Sequence, residues 1–188
     1  CEKGGQWEKA LDLLTEMERK DIPRDTITYS AAISACEKGG QWEKALDLLT
    51  EMERKNIPRD TITYSAAISA CEKGGQWEKA LDLLTEMERK DIPRDTITYS
   101  AAISACEKGG QWEKALDLLT EMERKNIPRD TITYSAAISA CEKGGQWEKA
   151  LDLLTEMERK DIPRDTITYS AAISACEKGG QWEKALDL

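Results

Sequence analysis

Histidine is absent from the 188 residues, and the six cysteines never form a Cys-x-x-Cys pair. Without imidazole, His-based catalytic triads and the usual zinc sites are excluded, and neither a metal nor a cofactor is expected. No apolar run approaches the roughly 20 residues that span a bilayer, so no membrane is expected among the partners. Low-complexity linkers are missing too. No initiator Met or targeting segment is visible, and the chain starts and stops inside a repeat, so the sequence is expected to be part of a longer chain. Positive charge is scarce: 27 Lys and Arg stand against 36 Asp and Glu, a net charge of -9. Such a body repels a polyanion, so any nucleic-acid binding must rest on local placement of charge.

What is present is one 35-residue unit, TITYSAAISACEKGGQWEKALDLLTEMERKNIPRD at 26–60, which recurs at 61–95, 96–130 and 131–165, with partial units at 1–25 and 166–188. One position varies, alternating through Asp21, Asn56, Asp91, Asn126 and Asp161. A fixed period of this length marks a solenoid, in which each unit buries its apolar face against its neighbours, and the whole is expected to be one elongated domain. Natural repeats drift apart. Copies this alike point to a consensus or designed sequence.

Each unit reads as two helices. From Ile27 to Lys38, with Asp25 or Thr26 as N-cap and Gly39-Gly40 as stop, Tyr29, Ala32, Ile33 and Cys36 fall at helical spacing and form a core stripe. From about Gln41 to Arg54, Trp42, Ala45, Leu46, Leu49 and Met52 repeat the spacing, and Leu48 widens that face. Glu51 and Lys55 pair on the outer side, and Ile57-Pro58 ends the helix. The fold class is therefore all-α, an α-solenoid of stacked antiparallel helix pairs. The cysteines, one per unit from Cys1 to Cys176, read as small buried filler, because equivalent helices pack ~8–10 Å apart, beyond the ~7 Å reach of a disulfide. The aromatic residues lie in apolar stripes and read as packing.

A second stripe on the first helix, Ile27, Ser30, Ser34 and Lys38, is not needed for the core. Asp60, at the end of the loop, is expected near its start, beside the next helix, which it is also suited to cap. Each unit thus offers a branched apolar side chain, a hydroxyl, a carboxylate and an ammonium, repeated in rows.

On these segments the chain resembles the pentatricopeptide repeat family: TITYSAAISA is similar to its first helix, CEKGGQWEKALDLLTEM to its turn and second helix, and IPRD to its Pro-containing end. The tetratricopeptide unit of about 34 residues has a Trp/Leu-Gly/Tyr opening that is absent here. The resemblance implies a right-handed superhelix that binds single-stranded RNA, one unit per base, through the fifth and last residues of the unit. The implied base readers are Ser30 with Asp60, Ser65 with Asp95, Ser100 with Asp130 and Ser135 with Asp165, while Asp25 lacks a serine partner and Ser170 an aspartate partner. It implies base clamps at Ile27, Ile62, Ile97, Ile132 and Ile167, and phosphate contacts at Lys38, Lys73, Lys108, Lys143 and Lys178, with Lys3 on a truncated helix. The small first helices are expected on the concave side.

The base preference follows from chemistry. An ionised aspartate only accepts hydrogen bonds, so it requires a base with N–H donors on its Watson–Crick edge. Guanine offers N1–H and N2–H₂, uracil only N3–H, and adenine presents a bare N1. Guanine is first and uracil second, and the implied target is a G-rich run of about four bases, one per complete unit. Competing readings are a designed scaffold without a natural ligand and a peptide-binding groove; no nucleophile and base set supports an enzyme. Uncovered apolar ends predict head-to-tail self-association, Cys1 end to Leu188 end.

Overall fold

A computed structural model of the chain describes residues 5–186, so Cys1, Lys3 and Leu188 lie outside the described residues. An aspartate closes the entry to the first helix of every repeat. At α2 (Thr26–Lys38) the N-cap is Asp25, whose extended backbone lets its side chain accept from the Thr28 N–H at 2.8 Å. The helix exits through Gly39 and Gly40, the latter at φ 71°, and Gln41 N–H donates back to Cys36 O at 2.9 Å. After this turn α3 (Trp42–Arg54) begins one residue later than expected, with Gln41 as N-cap. After the C-cap Lys55 the chain turns away at Asn56, φ 54°, and Ile57 N–H donates to Met52 O at 2.8 Å. The single variable position of the sequence is thus a left-handed helix terminator. Asn and Asp are the non-glycine residues that tolerate this backbone best, and the alternation runs between those two.

The same rules give α4 (Thr61–Lys73), α5 (Trp77–Arg89), α6 (Thr96–Lys108), α7 (Trp112–Arg124), α8 (Thr131–Lys143), α9 (Trp147–Arg159), α10 (Thr166–Lys178) and α11 (Trp182–Leu186), after the leading α1 (Gly5–Arg19). No strand occurs among the described residues. The fold is an α-solenoid of stacked antiparallel helix pairs, divided into two compact units, Cys1–Arg94 and Asp95–Leu188. In the first, α2 packs on α4 and α3 lies against both, while the backbones of α3 and α5 stand apart and Lys79 of α5 reaches over the Trp42 ring of α3. In the second, α6 packs on α8 and α8 on α10; the backbones of α7 and α9 stand apart, and Lys149 of α9 reaches over the Trp112 ring of α7 at 4.8 Å. First helices form the tight row and second helices spread apart. Small residues such as Ala67 and Ala70 on α4 permit the close approach.

Tyr29, Ile33 and Cys36 of the expected stripe are fully buried, as are Ala45 and Met52 of the second helix. Complete burial of side chains like Ile33 and Met52 contributes about 1.5–3 kcal/mol each. Leu48 is deeper than Leu46, and Trp42 is half-buried, because its indole lies over the next repeat's Gly74. A β-carbon on Gly74 would stand 2.2 Å from Trp42 Cδ1, and Gly144 meets Trp112 in the same way. Burial pushes the Cys106 and Cys141 thiols up to about 11, so they stay protonated and inert.

Arginine bolts adjacent repeats together. Arg59 reaches Glu53 at 2.8 Å and Glu86 of the next repeat at 3.0 Å, with its guanidinium 5.4 Å from the Tyr64 ring centre. Arg129 repeats this with Glu123, Glu156 and Tyr134, and Lys160 bridges the same two carboxylates at 2.9 and 2.8 Å. Burial pushes the Tyr134 hydroxyl up to about 12. Burial also raises Glu156, but the Lys160 hydrogen bond and Arg129 outweigh it and leave this carboxyl below its ordinary value.

Candidate functional site

The loop before each first helix sets one aspartate at the helix start, and within each compact unit the stacking of repeats links a serine of the preceding repeat to the threonine that binds Asp60, Asp130 or Asp165. Asp60 accepts from Thr63 N–H at 2.9 Å and from the Thr63 hydroxyl at 2.5 Å; both bonds use Oδ1, and Oδ2 carries neither. Thr63 Oγ1 in turn lies 3.1 Å from Ser30 Oγ. Two residues 30 positions apart in sequence are therefore joined through a third, in the next repeat. The second unit holds the same arrangement twice. Ser100 reaches Thr133 at 2.8 Å and Thr133 reaches Asp130 at 2.6 Å; Ser135 reaches Thr168 at 2.9 Å and Thr168 reaches Asp165 at 2.6 Å.

The expected site residues fall as follows. Asp25, Asp60, Asp95, Asp130 and Asp165 are all exposed and all serve as N-caps. Capping by the threonine N–H uses Oδ1 in each case. Ser65, Ser100 and Ser135 are 8–9% exposed, while Ser30 is half-buried and Ser170 exposed. The Thr168 hydroxyl, followed by its N–H, holds the Asp165 carboxyl below the usual carboxylate range, and Thr28 acts likewise on Asp25.

Ile27, Ile62, Ile97, Ile132 and Ile167 are 63–78% exposed, one turn or less from the aspartates. Branched apolar side chains held in water once per repeat make flat apolar steps. Lys38, Lys73, Lys108, Lys143 and Lys178 are exposed at the far ends of the same helices. They are not all unengaged. Lys73 pairs with Glu37 at 2.5 Å and Lys143 with Glu107 at 2.6 Å, and Lys178 contacts Glu142. At these three lysines an incoming anion competes with a glutamate of the preceding repeat. No group of His, Cys, Asp or Glu among the described residues is placed to hold a metal, and no helix among them is long and apolar enough to cross a membrane.

Sequence reasoning missed the threonine link and the glutamate row. The first had a local trace, because threonine three residues after an N-cap aspartate is a capping-box pattern. The second joins residues 36 apart and has no local signal.

The PPR repeat family model matches residues 24–73, 59–108, 94–143 and 129–178, and a PPR repeat model matches 1–22. The chain is similar to the pentatricopeptide repeat protein PPR10, solved in complex with an 18-nt psaJ RNA element, at 25% identity and TM-score 0.78; the match covers 97% of this chain and 27% of that one. PPR10 from maize, solved in a further crystal structure, matches at 27% identity and TM-score 0.75, over 97% of this chain and 26% of that one. The PPR domain of Arabidopsis thaliana protein-only RNase P 1, in complex with tRNA, shares the fold at 16% identity and TM-score 0.74, over 86% of this chain and 87% of that one. The chain thus spans about a quarter of the length of PPR10. Among curated proteins no match is found.

Proposed function

We propose that this chain, which belongs to the pentatricopeptide repeat family, binds single-stranded RNA at one base per repeat, its Ser/Asp pairs favouring guanine with uracil second. The supporting observation is the meeting of Ser30 with Asp60, Ser100 with Asp130 and Ser135 with Asp165 through one threonine each, beside an exposed isoleucine. Acceptor oxygens at the edge of an apolar step suit a stacked base that presents donors. The RNA bound by PPR10 supports the partner class. Ile27, Ile62, Ile97, Ile132 and Ile167 clamp the bases, the lysine row follows the phosphates, and the four complete pairs take a run of about four G. The near-identical units favour a designed or consensus sequence. No reaction is proposed.

The ends carry a second reading. Leu13, Leu14, Met17, Ile22, Ala31 and Ala32 line an open hollow of 440 Å³ at one end, and Ile173 is 41% exposed at the other, where its counterpart Ile33 is fully buried. Since the repeats are alike, a second copy offers the matching surface, and chains stack head to tail at high concentration.

Titration with short G runs flanked by other bases, against A, C and U runs, tests the RNA reading. Tightest binding to G is expected. Asp60→Asn, Asp95→Asn, Asp130→Asn and Asp165→Asn together should reverse the order of G and A, because an amide can donate to adenine N1 while accepting from N6–H₂. At about 1–3 kcal/mol per read base, four changes are ample. No RNA binding, or a ranking untouched by the four substitutions, would leave a scaffold without a ligand.

A further inference from the structure

We infer that the third residue of each following repeat, Thr63, Thr133 and Thr168, is a specificity-determining positioning residue that fixes the serine and aspartate of the preceding pair as two acceptors. The inference rests on the RNA reading above and deepens it.

A hydroxyl has one proton. Thr133 Oγ1 stands 2.6 Å from the Asp130 carboxylate and 2.8 Å from Ser100 Oγ, and a hydrogen bond to an ionised acceptor is roughly twice as strong as one between neutral groups. The threonine therefore donates to the aspartate. It can then only accept from the serine, so the serine proton also points into the protein. The same polarity holds from Ser135 through Thr168 to Asp165. For Ser30 both acceptors within reach, Thr63 Oγ1 and the Thr26 carbonyl at 2.8 Å, are internal. Outward, each pair shows serine lone pairs and an aspartate oxygen. Side by side, two acceptors match the N1–H and N2–H₂ of guanine and meet uracil N3–H with only one donor between them. A serine free to rotate would donate, and a donor beside an acceptor suits uracil, whose N3–H lies next to a carbonyl.

Ser100 and Ser135 are the informative sites, because Ser30 keeps an internal carbonyl partner. Two arms test the inference. The first needs no variant: inosine, which is guanosine without its 2-amino group, replaces G in the flanked run. Two facing acceptors predict that the native chain binds the inosine run at least about tenfold more weakly. Equal affinities overturn the inference even where G still outranks A. The second arm compares Thr133→Val with Thr168→Val against Thr133→Ser with Thr168→Ser, each pair confirmed folded by circular dichroism. The valines should narrow the G-over-U ratio by roughly tenfold, and the serines, which keep the hydroxyl, should hold it near native. A threonine that only braced the helix start would alter stability and leave base choice alone, so an unchanged ratio in the valine pair overturns the inference. Loss of all base preference in the native chain, with no response to the aspartate substitutions, overturns the RNA reading and this inference with it.

Discussion

Leu13 and Leu48 occupy the same place in identical sequence, yet Leu13 is 61% exposed and Leu48 6%. Ser170 and Ser135 differ in the same way: Ser135 is buried and bonded to Thr168, whereas Ser170 is exposed. Neither difference is written in the residues themselves. A repeat has only half of its interface, and the neighbour supplies the other half. Interior repeats hold complete Ser, Thr and Asp sets; the end repeats hold Asp25 without a serine and Ser170 without an aspartate.

The contrast can be broken most forcefully in the core. Leu48→Ala should destabilise the chain by about 2–4 kcal/mol in urea unfolding, while Leu13→Ala costs under ~1 kcal/mol, since little transfer energy or cavity is at stake at an exposed site. Equal losses would mean that the end is covered in solution, as head-to-tail stacking predicts, and dilution should then separate the two values.

A smaller effect concerns the lysine row. Glu37→Gln, Glu107→Gln and Glu142→Gln release Lys73, Lys143 and Lys178 from their carboxylate partners. RNA affinity should rise about three- to tenfold and the salt dependence steepen, each phosphate contact adding about -0.7 to the log–log slope. Stability should shift by no more than ~1 kcal/mol, because these pairs are exposed. An unchanged slope would show that the lysines do not meet phosphate.

Acid gives the mildest test. Asp25 and Asp165, which cap first helices near the two ends, have carboxyls held below the unfolded value of about 3.9. A depressed folded pKa stabilises the chain above the unfolded value and loses that contribution as pH falls through the folded one. The melting temperature should therefore decline below about pH 4, and less steeply in Thr168→Val, where the hydroxyl that most lowers Asp165 is gone. A valine variant with the native acid limb would count against that hydrogen bond.

Much of the fold was legible. The spacing of Tyr29, Ile33 and Cys36, the Gly39-Gly40 stop and the Pro58 break belong to one helix or turn, and local periodicity and backbone sterics govern them. The alternating Asp and Asn is an exposed position, and its role as a left-handed terminator came from the backbone alone. Trp42 carried the spacing of a core residue but lies half-buried over Gly74 of the next repeat.

What the sequence by itself determined is the all-α repeat, its helix limits to within a residue, and the rows of isoleucine, aspartate and lysine, because these depend on contacts within a few positions of the chain. Tertiary structure alone decided that Thr63 joins Ser30 to Asp60, that Glu37 holds Lys73 and that Arg59 grips Glu86. Such contacts span about a repeat, and their existence depends on how far one helix pair is shifted and rotated against the next. Periodicity says that neighbours stack; the packing of side chains sets the register at which they do.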